Sequence, residues 1–356
     1  MRVLHLESGR HMYGGARQVL YLVAGLEQKG VESILAVPER SELGRMAAPF
    51  ATKVRYMPMR GDLDLALAFR LRALIRETGP DLLHVHSRRG ADFWGGVAAR
   101  QAGIPAVLSR RVDNPEHPWL VAMKYRLYRR IVTISEGIRE VLLSEGVPAD
   151  QVTCVRSAVR AAEYQHPCER SAFRRELGLP DSAIIAGMLA QLIQRKGHRH
   201  LVEALPRVIE RHPELHVVLF GQGPLRNALE QAATAAHLQG HVHFLGFRDD
   251  LPRLLTCLDL IVHPADIEGL GVSLLQGAAA GIPLIGTRTG GIPEIVRDEE
   301  TGILIRPGDV PALSAAICRL LENPDLRRRL GEGGRKLVET EFDVQTMVDG
   351  NLAVYH

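Results

Sequence analysis

DIEGLGVSLLQGAAAGIPLIGTRTGGIPE, residues 266–294, is the most informative stretch of this chain. An acidic residue leads into a tight glycine-rich turn. An apolar, small-residue segment follows at helical spacing, and a short β-branched run then ends in Gly290-Gly291. Loop, helix and strand in that order are the repeating parts of a parallel sheet with crossover helices. The backbone N–H groups of Gly269, Leu270 and Gly271 fall at the start of the helix, an arrangement that binds phosphate. Glu268 has the wrong sign of charge for a phosphate ligand and suits sugar hydroxyls beside one. The plainer reading of the same residues is a helix start at which the macrodipole favours Glu268.

The same alternation runs outward from this segment in both directions. Apolar runs at Ile184–Leu189, Val217–Phe220, His241–Leu245, Leu258–His263, Pro283–Gly286 and Gly302–Ile305 read as one set of strands. An earlier set comprises Val3–Leu6, Ser33–Val37, Lys53–Tyr56, Leu82–His86, Ala106–Ser109 and Ile131–Ile134, with amphipathic stretches such as Gln18–Lys29, Leu65–Glu77 and Trp94–Ala102 between them. Two doubly wound parallel-sheet domains are expected, with ligands at the carboxyl ends of the strands. The expected division is 1–160, 161–340 and a C-terminal segment 341–356, with a linker in Ser157–Glu169.

Bulk composition agrees. A length of 356 residues suits two domains, and 46% hydrophobic with 24% charged residues is ordinary for a globular protein. A net charge of +3 argues against a dedicated nucleic-acid binder. Cys154, Cys168, Cys257 and Cys318 have no CxxC spacing and read as separate, reduced thiols of a cytoplasmic protein. No run of 18 apolar residues is present to span a membrane, and MRVLHLESGR reads as a first buried strand rather than a leader.

Further short motifs follow in order along the chain: Gly14-Gly15 after the first strand, His84-Val-His86, Lys196-Gly197-His198, Gly221-Gln-Gly223-Pro224, Phe244-Leu-Gly246-Phe247 and Gly290-Gly291-Ile-Pro-Glu294. With the 266–294 segment, these make the chain resemble the retaining nucleotide-sugar glycosyltransferases of family four (glycosyl transferases group 1), and among them bacterial enzymes of lipopolysaccharide and cell-envelope glycans. That resemblance implies the α/β GT-B fold, two Rossmann-like domains facing a cleft. The N-terminal domain would take the acceptor and the C-terminal one the nucleotide sugar, with the last helix crossing back. It implies transfer from a nucleoside diphosphate sugar, UDP being commonest, to a hydroxyl, with no cofactor and no metal.

By resemblance, Glu268, Lys196 and His86 are the catalytic candidates. Glu268 would orient the donor sugar, Lys196 would meet the diphosphate as a point charge, and His86 would lie near the transferred sugar. Gly14, Gly15, Gln191, Gly223, Gly246, Phe247, Gly269, Leu270, Gly271 and Gln276 are the donor-binding candidates. Two positions depart from the family pattern. A glutamate is expected eight positions beyond Glu268, roughly 12 Å along a helix, where it would hold the ribose diol; the residue there is Gln276. An arginine is expected five positions before Lys196, and Gln191 stands there. Arg195 and Arg288 are both available to replace its charge. For Gly14-Gly15 an ordinary strand-to-helix turn fits equally, and for Phe247 simple packing does.

His84 and His86, two apart on a strand, share a face. No third ligand at metal spacing accompanies them, so the expectation is that no metal binds. His198, His200, His241 and His243 read as solvated or strand-edge residues. Positive charge gathers at Arg88-Arg89, Arg110-Arg111 and WLVAMKYRLYRR, 119–130. Arg110, Arg111 and Asp113 are acceptor-binding candidates. The 119–130 segment fits either a solvated amphipathic helix or one lying on an anionic membrane, which would make the protein peripheral at the inner face of the cytoplasmic membrane. Two other functions stay open: a sugar-nucleotide epimerase on the same fold, and a non-catalytic sugar-nucleotide-binding protein. No G-x-S-x-G elbow and no P-loop is present.

Overall fold

The computed structural model describes residues 1–87 and 90–356; Arg88 and Arg89, part of the basic concentration noted above, lie outside the described residues. The chain divides into two compact units, Met1–Ala158 with Val344–His356, and Val159–Asp343.

The first unit holds seven strands: β1 Arg2–Leu6, β2 Glu32–Val37, β3 Lys53–Tyr56, β4 Leu82–Val85, β5 Ala106–Arg110, β6 Arg130–Thr133 and β7 Val152–Cys154. They form one sheet in the order β3-β2-β1-β4-β5-β6-β7, every pairing parallel. β7 was not expected: three residues, Val-Thr-Cys, are too few to produce a readable period. The second unit holds β8 Ile184–Leu189, β9 Leu215–Phe220, β10 Val242–Gly246, β11 Leu260–His263, β12 Leu284–Thr287 and β13 Gly302–Ile305, in the order β10-β9-β8-β11-β12-β13, again parallel. The order reverses between β1 and β4 in one unit and between β8 and β11 in the other. These reversals are the switch points at which doubly wound sheets bind ligands.

Strand alternation decides what lies under each face. On β1, Leu4 and Leu6 pack with Leu83, Val85 and Leu71 on one side. Val3, two positions before His5, packs with Tyr21, Leu82 and Met347 on the other, beneath the helices Gly14–Gln28 and Val344–Tyr355. The parity of β4 matches, so His5, His84 and His86 share that second face. The two covering helices meet closely because position 25 is glycine: a Cβ there would lie 2.4 Å from Val348 Cγ2. Burial of Met347 and Val348 against the sheet stabilises the returning segment by about 1.5–3 kcal/mol per side chain.

Three expectations are corrected. Cys168 and Cys257 are not separate thiols; they form a disulfide with Cα atoms 5.2 Å apart, joining the approach to β8 with the turn before β11. Cys154 and Cys318 remain thiols. The 119–130 segment does not form one long amphipathic helix. Its helix is Pro118–Tyr125, and it exposes Trp119, Leu120 and Met123 while burying Lys124. Lys124 Nζ sits 3.1 Å from Asp92 and 2.5 Å from Glu116, and those two carboxylates draw the cation inward. Finally, the expected linker is partly ordered: Ala161–Tyr164 forms a 3-10 turn, and Tyr164 is fully buried against the helix Val272–Ala279.

Candidate functional site

In the second unit, two loops leave the sheet at its switch point: 190–197 after β8 and 264–271 after β11. The first carries Lys196 and the second Glu268, and Lys196 Nζ donates to Glu268 Oε2 at 2.5 Å. His263, the last residue of β11, meets the same oxygen at 2.8 Å through Nε2. All three are largely shielded from solvent. Burial is the largest influence on the Glu268 carboxyl and works to raise it. The His263 bond and charge, then Lys196, outweigh burial and hold it far below the usual carboxylate range. Glu268 is therefore a fixed anion with a cation against it.

The loops are braced. Asp266 N and Ile267 N donate to Arg195 O at 2.9 and 3.3 Å, Thr287 Oγ1 donates to Ala265 O at 2.6 Å, Thr289 Oγ1 to Asp266 O at 3.1 Å, and Gly291 N to Glu268 O at 3.3 Å. Gly197 makes the first contact possible. Its φ is +75°, and a Cβ would fall 1.8 Å from Pro264 O, so no side chain fits. Gly223 serves the neighbouring turn in the same way, since a Cβ there would meet Leu192 O at 2.4 Å. It shapes the loop that carries Gln191, whose side chain is exposed.

Gly269, Leu270 and Gly271 are buried and lead into the helix Val272–Ala279, which begins with Gly271 at φ +92° and no side-chain cap. Gln276, half-buried on that helix, donates through Nε2 to Tyr164 Oη at 3.0 Å. Gly246, at φ +69°, accepts from Gly221 N at 2.7 Å, and Phe247 beside it is 60% exposed, which sets aside simple packing. Of the two possible replacements for an arginine at 191, Arg288 pairs with Asp298 at 2.9 Å. His198 and His200 are buried rather than solvated. Burial, with His263 and Lys196 nearby, lowers His198 to about 4, and His200 meets Asp266 at 2.8 Å.

In the first unit, Gly14 and Gly15 open the helix Gly14–Gln28, which has no side-chain cap and no acidic residue in its first turn. Beside them is Arg111, whose Cδ lies 3.6 Å from where a Gly15 Cβ would be. Burial lowers the Arg111 guanidinium and raises the Glu7 carboxyl, and the attraction between the two opposes both shifts. Arg110 faces inward, 2% exposed. It pairs with Glu116 at 2.7 Å and also donates to Asn114 O, so it braces the 111–117 loop instead of meeting an acceptor. Asp113 is buried as well.

His86 is 1% exposed, and its Nε2 shares a hydrogen bond with His5 Nδ1 at 3.0 Å. His84 is bonded to Ser109 Oγ at 2.9 Å and to Tyr355 Oη at 2.6 Å. The third imidazole that the sequence reading lacked thus comes from β1. His5 Nδ1 faces His86 Nε2 directly and His84 spends both of its nitrogens on hydroxyls, while His5 Nε2 and His86 Nδ1 are buried with no hydrogen-bond partner among the described residues; one nitrogen from each ring lies within 4.8 Å of the other two. Burial, with the neighbouring charges, lowers His84 and His86 well below the usual imidazole range, and burial alone lowers His5 to about 3.

Sequence reasoning missed His5, Glu7, His263 and Tyr164. The first three had a signal: each is a polar residue in or closing an otherwise apolar strand just before a glycine-rich loop. Tyr164 had none.

Both halves of the chain match known protein families. Residues 12–163 match the family described as Glycosyltransferase Family 4, and residues 169–337 the family described as Glycosyl transferases group 1. The lipopolysaccharide core biosynthesis glycosyltransferase LpsE of Rhizobium meliloti is 27% identical over 356 residues, covering 99% of this chain and 98% of that one. A GDP-mannose-dependent phosphatidylinositol monomannoside mannosyltransferase of Corynebacterium glutamicum is 33% identical, over 51% of this chain and 49% of its own length. Among solved structures, Anabaena HepE in complex with UDP superposes with a TM-score of 0.88 over 99% of each chain at 19% identity, which bears out the GT-B fold. The chain thus carries two glycosyltransferase domains in order, a Glycosyltransferase Family 4 domain and a Glycosyl transferases group 1 domain.

Proposed function

We propose that this protein is a retaining glycosyltransferase moving a sugar from a nucleoside diphosphate sugar, UDP the first to test, onto a hydroxyl of a cell-envelope glycan or glycolipid, without a bound metal. The observation carrying the reading is the 2.5 Å contact between Lys196 and Glu268. In such a donor the anomeric oxygen joins sugar to phosphate, so groups recognising each must lie side by side. Lys196 and the N–H groups at 269–271 take the diphosphate and stabilise the charge that grows on it as it leaves. Glu268 takes sugar hydroxyls. Gln276 takes the ribose diol. No residue is singled out as a nucleophile, so the acceptor attacks from the face the diphosphate leaves and passes its proton to the departing phosphate.

Support for a cell-envelope acceptor comes from the names of relatives such as LpsE, and support for UDP from the HepE complex. Among the described residues no helix is long and apolar enough to cross a membrane. The exposed Trp119, Leu120 and Met123 suit contact with a lipid surface at the cytoplasmic face. The test is calorimetric titration with UDP, GDP, ADP and CMP without metal. It is followed by incubation with the sugar nucleotide of whichever binds, with and without lipid-linked acceptors, reading the anomer of the product by NMR. Binding with an α-to-α or β-to-β product supports the reading. Product formed from donor alone identifies an epimerase, and binding with no turnover a sugar-nucleotide-binding protein.

A further inference from the structure

Gln276 stands where the family pattern has a glutamate, and the two differ in symmetry. A carboxylate offers acceptor oxygens on both sides, so it can meet a ribose diol in either of two flipped orientations. An amide offers an oxygen on one side and two N–H donors on the other. Left free to flip, a glutamine would present the wrong edge for part of the time. Here one edge is occupied: Gln276 Nε2 donates to Tyr164 Oη at 3.0 Å. Tyr164 is 1% exposed and belongs to the Ala161–Tyr164 turn, packed against the helix that carries Gln276. A phenol can accept from an amide N–H or donate to an amide oxygen; here its oxygen accepts from Nε2, and Oε1 is the edge left to accept hydrogen bonds.

We infer that Tyr164 is a positioning residue for nucleoside recognition: with its own O–H directed away from Gln276, its oxygen accepts only from Nε2 and locks the amide, so that the amide carbonyl does the work of one carboxylate oxygen toward the ribose hydroxyls. This rests on the proposed binding of a nucleoside diphosphate at Gln276. It makes the glutamine a tuned contact, and it makes Tyr164 necessary only while residue 276 is an amide.

The experiment measures Kd by calorimetry for UDP and 2′-deoxy-UDP, and for GDP and 2′-deoxy-GDP, on the full chain. The proteins are wild type, Tyr164→Phe, Gln276→Glu and the double variant. Wild type is expected to prefer the ribonucleotide at least tenfold, and Tyr164→Phe less than threefold. Gln276→Glu should keep the preference with or without Tyr164, because its two oxygens are equivalent. A role for Tyr164 in packing alone would lower affinity equally in both backgrounds and leave the preference intact, and that result overturns the inference. Wild-type binding with no ribose preference also overturns it. If neither nucleotide binds wild type at all, it is the proposed function that fails. Should Tyr164→Phe not fold, the Gln276 side-chain amide protons of the wild type decide: slow exchange with water supports the lock, and free exchange removes it.

Discussion

Lys196 Nζ and Glu268 Oε2, 72 residues apart in sequence, stand 2.5 Å apart at the carboxyl ends of β8 and β11. The loop holding each is fastened to the other through the Asp266 and Ile267 amides on Arg195 O. The pair is shielded, so neither member can be removed without leaving the other's charge poorly solvated.

Lys196→Ala and Glu268→Ala should each cut transfer at least tenfold, about 1.4 kcal/mol of transition-state stabilisation, with the fold retained. Because the two groups act on adjoining parts of one donor, the double variant should lose less than the product of the single losses. Steady-state kinetics beside circular dichroism checks this, and normal turnover in either single variant would remove that residue's assigned role.

Gly197→Ala should be more damaging than its size suggests. The added Cβ meets Pro264 O at 1.8 Å, and φ of +75° strains any L side chain. A stability loss of roughly 1–3 kcal/mol is expected, with donor affinity reduced because the 194–197 turn can no longer sit against 264–267. Urea unfolding and nucleotide titration measure the two effects, and wild-type values in both would show that the close approach is dispensable.

Stability should fall as pH drops from about 7 toward 4. Burial holds His198 near 4 and His5 near 3 against an ordinary 6.5, and His84 and His86 well below it. Between those values the unfolded chain binds protons that the folded chain refuses, so the free energy of unfolding rises with pH there, by at most about 1.4 kcal/mol per pH unit per group. Glu268, depressed, adds to the loss below its ordinary 4.5, whereas Glu7, raised, opposes it. Denaturant unfolding from pH 4 to 7 should show a slope that His198→Asn flattens. An unchanged slope in that variant would reject the buried-neutral account.

The Cys168–Cys257 bridge closes a loop spanning 89 positions. Loop-closure entropy gives such links typically ~2–4 kcal/mol. Reductant should therefore lower the melting temperature of wild type and leave Cys168→Ser unaffected. Unfolded, unreduced wild type should titrate two thiols, Cys154 and Cys318; four would show that the bridge does not form.

Local pattern carried much of this protein. Apolar runs alternating with amphipathic stretches announced two parallel sheets, because a buried strand and a crossover helix each impose a period that a few residues reveal. The glycines beside Glu268 and Lys196 marked the loops on which those residues sit. Only the tertiary structure decided which loops meet. His5 reaches His86 across 81 positions, and Gln276 reaches Tyr164 across 112. Lys124 turns inward because Asp92 and Glu116 stand on other segments, and Arg110 is held by Glu116 rather than offered to a ligand. Periodicity reports the face on which a residue lies. The partner it finds there depends on strand order and on helices that return from far along the chain, and one sequence read locally contains no measure of that distance.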